Sequence, residues 1–144
     1  MRILLSILVV SMSLLIADQV QASNLQSDDL WFRESVPGSE NGAGFGTLRN
    51  VGDEDIVIVA GRSNVSADVE LHRHAHRDNQ MVMEQIEALT IPAGESVILQ
   101  PGGYHFMLMQ LKQPLVPGEE HQLILRLDTG ERIEFAVPVK GLLQ

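Results

Sequence analysis

The sequence predicts an all-β domain, a β-sandwich or Greek-key barrel, and three observations carry that reading. No window keeps a 3.6-residue hydrophobic period over three turns. Apolar residues alternate with polar ones instead, as in Leu123, Leu125 and Leu127, and a period of two lines up alternate side chains on one face of a strand. Turns rich in Pro and Gly recur roughly every ten residues, the punctuation of short antiparallel strands.

Taken in chain order, Met1-Arg2, the apolar run Ile3 to Ile16 and the small-residue end Val20-Gln21-Ala22 predict a signal peptide over residues 1–22, cleaved after Ala22. The run is too short for a membrane span, so no membrane insertion is expected after cleavage. Residues 23–144 are then one domain. Ser23 to Asp29 is polar and expected to fray. Leu30-Trp31-Phe32 begins the apolar sequence, and Pro37 to Gly46, rich in Gly, Ser and Asn, reads as a loop. Strands are expected over Phe45 to Asn50 and Ile56 to Ala60, separated by the turn Gly52-Asp53-Glu54-Asp55. Val69 to His76 alternates Val69, Leu71, Arg73 and Ala75 against Glu70, His72, His74 and His76. Pro92-Ala93-Gly94 ends a run closed by Ile91. Pro101-Gly102 reads as a type II turn, because Pro fixes one φ and Gly tolerates a positive one at the next position. It launches a strand with Tyr104, Phe106 and Leu108 on one face and His105, Met107 and Met109 on the other. After Pro117-Gly118, Asp128-Thr129-Gly130 joins the Leu123 to Leu127 strand to one through Ile133, Phe135 and Val137, a hairpin.

Composition narrows the chemistry. Formal charge is -9, and it stays -9 without residues 1–22, which hold one charge of each sign, Arg2 and Asp18. An acidic surface argues against nucleic acid and anionic lipid as partners and suits an exported, soluble protein. The absence of cysteine excludes a disulfide framework, a thiolate metal site, a cysteine nucleophile and a lipid-modified leader cysteine. No Ser-His-Asp arrangement or paired carboxylates stand out, so an enzyme is not expected.

The methionines carry the functional signal. Met1 and Met12 lie in the leader; the other four of the six form two pairs, Met81/Met83 and Met107/Met109, and four of the five His stand beside them. Core-filling methionines would be scattered, since a flexible side chain fills gaps wherever they occur. Neutral thioethers with imidazoles suit the soft, monovalent Cu(I) and disfavour calcium, magnesium and zinc, while a blue-copper site would need a Cys thiolate. Two weaker candidates complete the inventory. His121 reads as a solvated surface residue, and Asp53, Glu54 and Asp55 as a solvated turn lacking the oxygens of a calcium loop.

His72, ten residues, Met83, twenty-one residues, His105, one residue, Met107 resembles the H-x10-M-x21-H-x-M signature of the periplasmic copper chaperones called PCuAC. Val69-Glu70-Leu71-His72, Ile91-Pro92-Ala93-Gly94, Pro101-Gly102-Gly103-Tyr104-His105 and Leu111-Lys112-Gln113-Pro114-Leu115 are similar to the same family, so the likeness spans most of the domain. It implies a cupredoxin-like, immunoglobulin-like Greek-key sandwich and Cu(I) held by His72, Met83, His105 and Met107. It also implies a periplasmic chaperone passing copper toward the binuclear copper centre of cytochrome c oxidase, through that oxidase's copper domain or a partner chaperone. Copper buffering without a dedicated acceptor would use the same residues, and a non-metal binding module would leave the methionines unexplained. The chain departs from the family at His74, where a Met is frequent, and at Arg77-Asp78-Asn79-Gln80, which lacks a frequent glycine. His74, His76, Met81 and Met109 are accessory candidates. His74 and His76 are weighed as a secondary Cu(II) site against a reading as solvated residues beside the opposing charges of Arg73 and Arg77.

Overall fold

The computed structural model describes residues 23–142 and turns the alternating segments into ten strands, with no helix among the described residues. They are β1 (Leu25–Arg33), β2 (Gly42–Asn50), β3 (Ile56–Ser63), β4 (Ser66–Arg77), β5 (Gln80–Ile86), β6 (Leu89–Ile91), β7 (Ser96–Leu99), β8 (His105–Leu111), β9 (Glu120–Leu127) and β10 (Arg132–Lys140). The signal peptide expected over 1–22 lies outside the described residues.

The pairing order runs β5-β4-β8-β2-β1-β10-β9-β3-β6, with β7 on β2 and a further contact between β3 and β4. That last contact, Gly61 opposite Val69, joins the strands next to each end of the path and curls the sheet into a closed, barrel-like sandwich, with β5 and β6 flanking the closure. The β-sandwich or barrel read from the pattern is therefore the fold found.

The alternation explains the core. Val69 and Leu71 from β4, Phe106 and Leu108 from β8, and Leu123, Leu125 and Leu127 from β9 are all buried in one apolar cluster. Each such side chain contributes about 1.5–3 kcal/mol on leaving water. Asp128-Thr129-Gly130 forms the expected hairpin turn, with Gly130 at φ +88° and Val137 opposite His121 in register.

Two local expectations fail, both where a distant partner overrides composition. Ser23 to Asp29 does not fray: Leu25 is 2% exposed and pairs with Asn50, so most of this segment is strand β1. Gly42 to Gly46 is strand rather than loop. Its glycines serve close approach, since a Cβ at Gly46 (φ +135°) would sit 2.7 Å from the Asp29 carbonyl oxygen and one at Gly44 would sit 3.0 Å from the Phe32 ring. Glycine in a strand marks this kind of backbone contact.

Candidate metal centre

Cross-strand register assembles the site. Residues directly opposite in an antiparallel pair share a face, and along β4 three successive same-face residues each meet a candidate: His74 stands opposite Met83 on β5, while His72 and Glu70 stand opposite His105 and Met107 on β8. The centre row is thus His72 and His105, flanked on one side by the Met83 row and on the other by the Met107 row, each about 6.5–7 Å along the strand. Met83 and Met107 nevertheless line one cavity of about 320 Å³, together with Arg33, Glu34 and Ala43. All four residues of the spacing signature come to one face of the β5-β4-β8 ribbon. Of the accessory candidates, His74 shares the Met83 row, while the other three fall one row further out, His76 opposite Met81 near the hairpin tip and Met109 opposite Asp68 at the other end.

The opposite face disposes of an electrostatic objection. Arg73 and Arg77 both reach Glu84, at 2.7 and 3.0 Å, on the face of the hairpin away from the imidazoles. Their charge is partnered there instead of being directed at the site.

Local structure sets which nitrogen of each imidazole is available. The turn before β8 forms as its residues dictate: the Gly103 N–H donates to the Gln100 carbonyl at 3.0 Å, with Gly102 at φ +83°. The same turn aims the Gly103 carbonyl at His105, 3.1 Å from Nδ1. A carbonyl only accepts, so the proton is on Nδ1 and the lone pair on Nε2. His105 is 3% exposed, and burial pushes its pKa below the usual imidazole value, with His72, His74 and Arg33 nearby acting in the same direction. On β4, His72 Nε2 donates to the Glu70 carboxylate at 2.7 Å, which leaves Nδ1 as the lone-pair nitrogen. His72 Nδ1, His74 Nδ1 and His105 Nε2 are all buried without a hydrogen-bond partner. A buried polar atom without a partner costs about 1–3 kcal/mol, so three on one face mark a place built for something else to fill. The donor set fits a soft cation: neutral imidazole lone pairs beside thioethers, with Met83 49% exposed at the rim. Among the described residues, no three His, Asp or Glu side chains group closely enough to hold an ion.

Several participants escaped the sequence reading. Glu70 orients His72, and its signal was its place two residues earlier on the same strand face. Phe45 packs 6.3 Å from the His105 ring and 5.1 Å from Trp31, with the Arg33 guanidinium 5.4 Å above it, so an aromatic shelf covers one side of the centre. His121 corrects the expectation of a solvated residue. It is 6% exposed, buried on β9 opposite Val137 of β10, with Nε2 3.3 Å from Glu119. Asp53, Glu54 and Asp55 are exposed in their turn as expected, and Asp55 accepts from the Ala93 N–H at 3.1 Å.

Comparison with known proteins places the family and the fold. Residues 25–139 match the family described as putative lipoprotein LpqE-like. A putative lipoprotein of Leifsonia xyli subsp. xyli, Lxx21020, is 34% identical over 121 residues, covering 83% of this chain and 72% of the relative. The solution structure of Cu(I)-bound DR1885 from Deinococcus radiodurans is 30% identical with a TM-score of 0.66, covering 80% of this chain and 77% of that one. The apo PCuAC domain from PmoF1 superposes with a TM-score of 0.70 at 18% identity, covering 84% and 97% of the two chains, a likeness of fold. None of the 144 residues is a cysteine.

Proposed function

The chain belongs to the LpqE-like family and has the PCuAC fold, and from that premise we propose that it is an extracytoplasmic Cu(I)-binding metallochaperone. Copper is its cargo, held by His72 Nδ1, His105 Nε2 and the sulfurs of Met83 and Met107. One observation carries the reading: the two imidazole nitrogens that the fold leaves as lone-pair donors are both buried, unpartnered and on the face shared by the two thioethers. The copper-bound state of DR1885 supports the same choice of metal.

The exposure of Met83 favours delivery. A ligand at the rim of β5 can exchange its bond to copper for one from an incoming protein, while the buried His105 keeps hold until transfer. The compartment is the periplasm, and the acceptor the copper domain of cytochrome c oxidase, for which the signature resemblance is the support. The protein binds and passes copper without turnover.

The test is a two-step titration. The full protein takes up one equivalent of Cu(I) in competition with a chromophoric chelator, then transfers it to an apo oxidase copper domain. Uptake without transfer makes it a copper buffer. Absence of uptake removes the copper reading altogether.

A further inference from the structure

We propose that Arg33 sets the charge preference of this centre, a fixed cation at its rim that admits Cu(I) and works against Cu(II). The inference rests on the copper reading of the site and concerns a residue outside the four-residue signature.

Register brings Arg33 to the site. Ala43 stands opposite Met107 and Phe32 opposite Gly44, so Arg33, the last residue of β1, falls one step on, beside Ala43. Alternation sends Phe32 into the core, where it is fully buried, and turns Arg33 to the other face. Glu70, Met107, Ala43 and Arg33 thus form one row across β4, β8, β2 and β1. Two strand spacings, about 9.5 Å, separate the backbones of Arg33 and Met107. The small side chain of Ala43 leaves the space between them open, and Arg33, Ala43, Met83 and Met107 line one cavity. The guanidinium carbon lies 5.4 Å from the centre of the Phe45 ring, and that ring 6.3 Å from His105. Phe45 itself is 3% exposed, so hydrocarbon lies along this side of the centre in place of water, and screening is weak there.

The charge is not spent elsewhere. Among the described residues, Arg49 pairs with Asp28, and Arg73 and Arg77 pair with Glu84, whereas Arg33 makes no ion pair. Glu34, on the same cavity wall, accepts from the Leu142 N–H at 2.9 Å. Glu70, at the other end of the row, accepts from His72, and its negative charge attracts a dication twice as strongly as a monocation. Arg33 opposes that bias. Coulomb energy scales with the charge of the ion, so any factor by which the guanidinium weakens Cu(I) binding is squared for Cu(II). The thioethers select for softness, and the arginine adds selection by charge.

Paired titrations of the full protein with Cu(I) and with Cu(II), each against a chelator of known affinity, test this in wild type, Arg33→Gln, Arg33→Lys and Arg33→Glu, with thermal melts alongside. Arg33→Gln should raise the ratio of Cu(II) to Cu(I) affinity about threefold to tenfold, the upper figure being a fall of about 59 mV in the reduction potential of the bound copper. Arg33→Glu should move the ratio further in the same direction, and Arg33→Lys, which keeps the charge, should hold it within about twofold of wild type. A role confined to packing on Phe45 would lower the melting temperature of Arg33→Gln and leave the ratio unchanged, which overturns the inference. So does Arg33→Lys behaving like Arg33→Gln, or Cu(II) binding undetectable in wild type and Arg33→Gln alike, the donor set then excluding the dication unaided. Failure of wild type to take up Cu(I) at all would instead sink the copper reading itself, so the two failures are distinguishable.

Discussion

His105 and His121 are both buried histidines with an unpartnered Nε2, 3% and 6% exposed respectively, yet their surroundings assign them opposite roles. His105 has its Nδ1 proton fixed by the Gly103 carbonyl and two further imidazoles within 6 Å of its ring, at 5.8 and 5.5 Å. His121 has Glu119 at 3.3 Å, too poorly aligned for a hydrogen bond, and no sulfur or second imidazole on its strand face. Burial and an orphan nitrogen are thus shared by the proposed ligand and a residue with no donor set around it. Convergence with other lone-pair donors separates them.

Alanine substitution breaks or upholds this comparison most directly. His105→Ala should lower Cu(I) affinity by at least about 100-fold, above the range typical for residues that merely orient a ligand, while His121→Ala leaves it within about threefold. Both should lose thermal stability, because each leaves a cavity in a packed region. Chelator competition with parallel thermal melts distinguishes the two, and equal affinity losses would erase the contrast.

Sulfur provides the next test, because His121 has none nearby. Met83→Leu and Met107→Leu keep volume nearly constant, so stability should change by less than about 1.5 kcal/mol, while removing a thioether lowers Cu(I) affinity about tenfold or more. Unchanged affinity in both variants, read by the same titration, would remove the thioethers from the site.

Glu70 sharpens the comparison from the side of orientation. Glu70→Leu frees the Nε2 proton of His72, so the ring populates both tautomers and Cu(I) affinity falls about tenfold, the low end for a residue that orients a ligand. Nitrogen-15 NMR of the apo-protein reads the tautomer independently of copper. A single Nε2–H tautomer in both wild type and Glu70→Leu would mean that the carboxylate does not control it.

These contrasts also explain what could be read in advance. The period-two alternation placed Phe106 and Leu108 in the core and His105 and Met107 on the other face, because face is a local property of a strand. The turns at Pro101-Gly102 and Gly130 were legible for the same reason: φ is written in the residue that adopts it. The strand at Gly42 to Gly46, the pairing of Leu25 with Asn50 and the closure through Gly61 and Val69 depend on partners far away in sequence, which composition does not record. His121 was misplaced because a loop signal before it, Pro117-Gly118, says nothing about what packs over β9. Glu70 was legible on the same strand face as His72 but not as its partner, since alternation fixes the face and not the rotamers that bring a carboxylate to a ring nitrogen.

Acidification yields the smallest effect and tests the burial of His105 itself. Burial holds its pKa in the folded protein below the value near 6.5 typical of an unfolded chain. Below pH ~6.5 the unfolded chain therefore binds a proton that folded His105 refuses, and the apo-protein loses stability as pH falls through that value toward the lowered one. Above pH ~6.5 this group contributes no pH dependence. The same shift protects copper binding: in the window just below pH 6.5 His105 still offers its lone pair, so affinity declines there by one proton fewer than for two ordinary imidazoles. Cu(I) affinity measured between about pH 7.5 and 5.5 should fall with acid, with the steeper part at the lower end. Chemical denaturation of apo wild type and His105→Phe over the same range should show a smaller loss in the variant, which has no imidazole at 105 to protonate on unfolding. A flat affinity profile would leave sulfur alone carrying the metal, and identical stability slopes in wild type and His105→Phe would show that the unfolded chain gains nothing from protonating this residue.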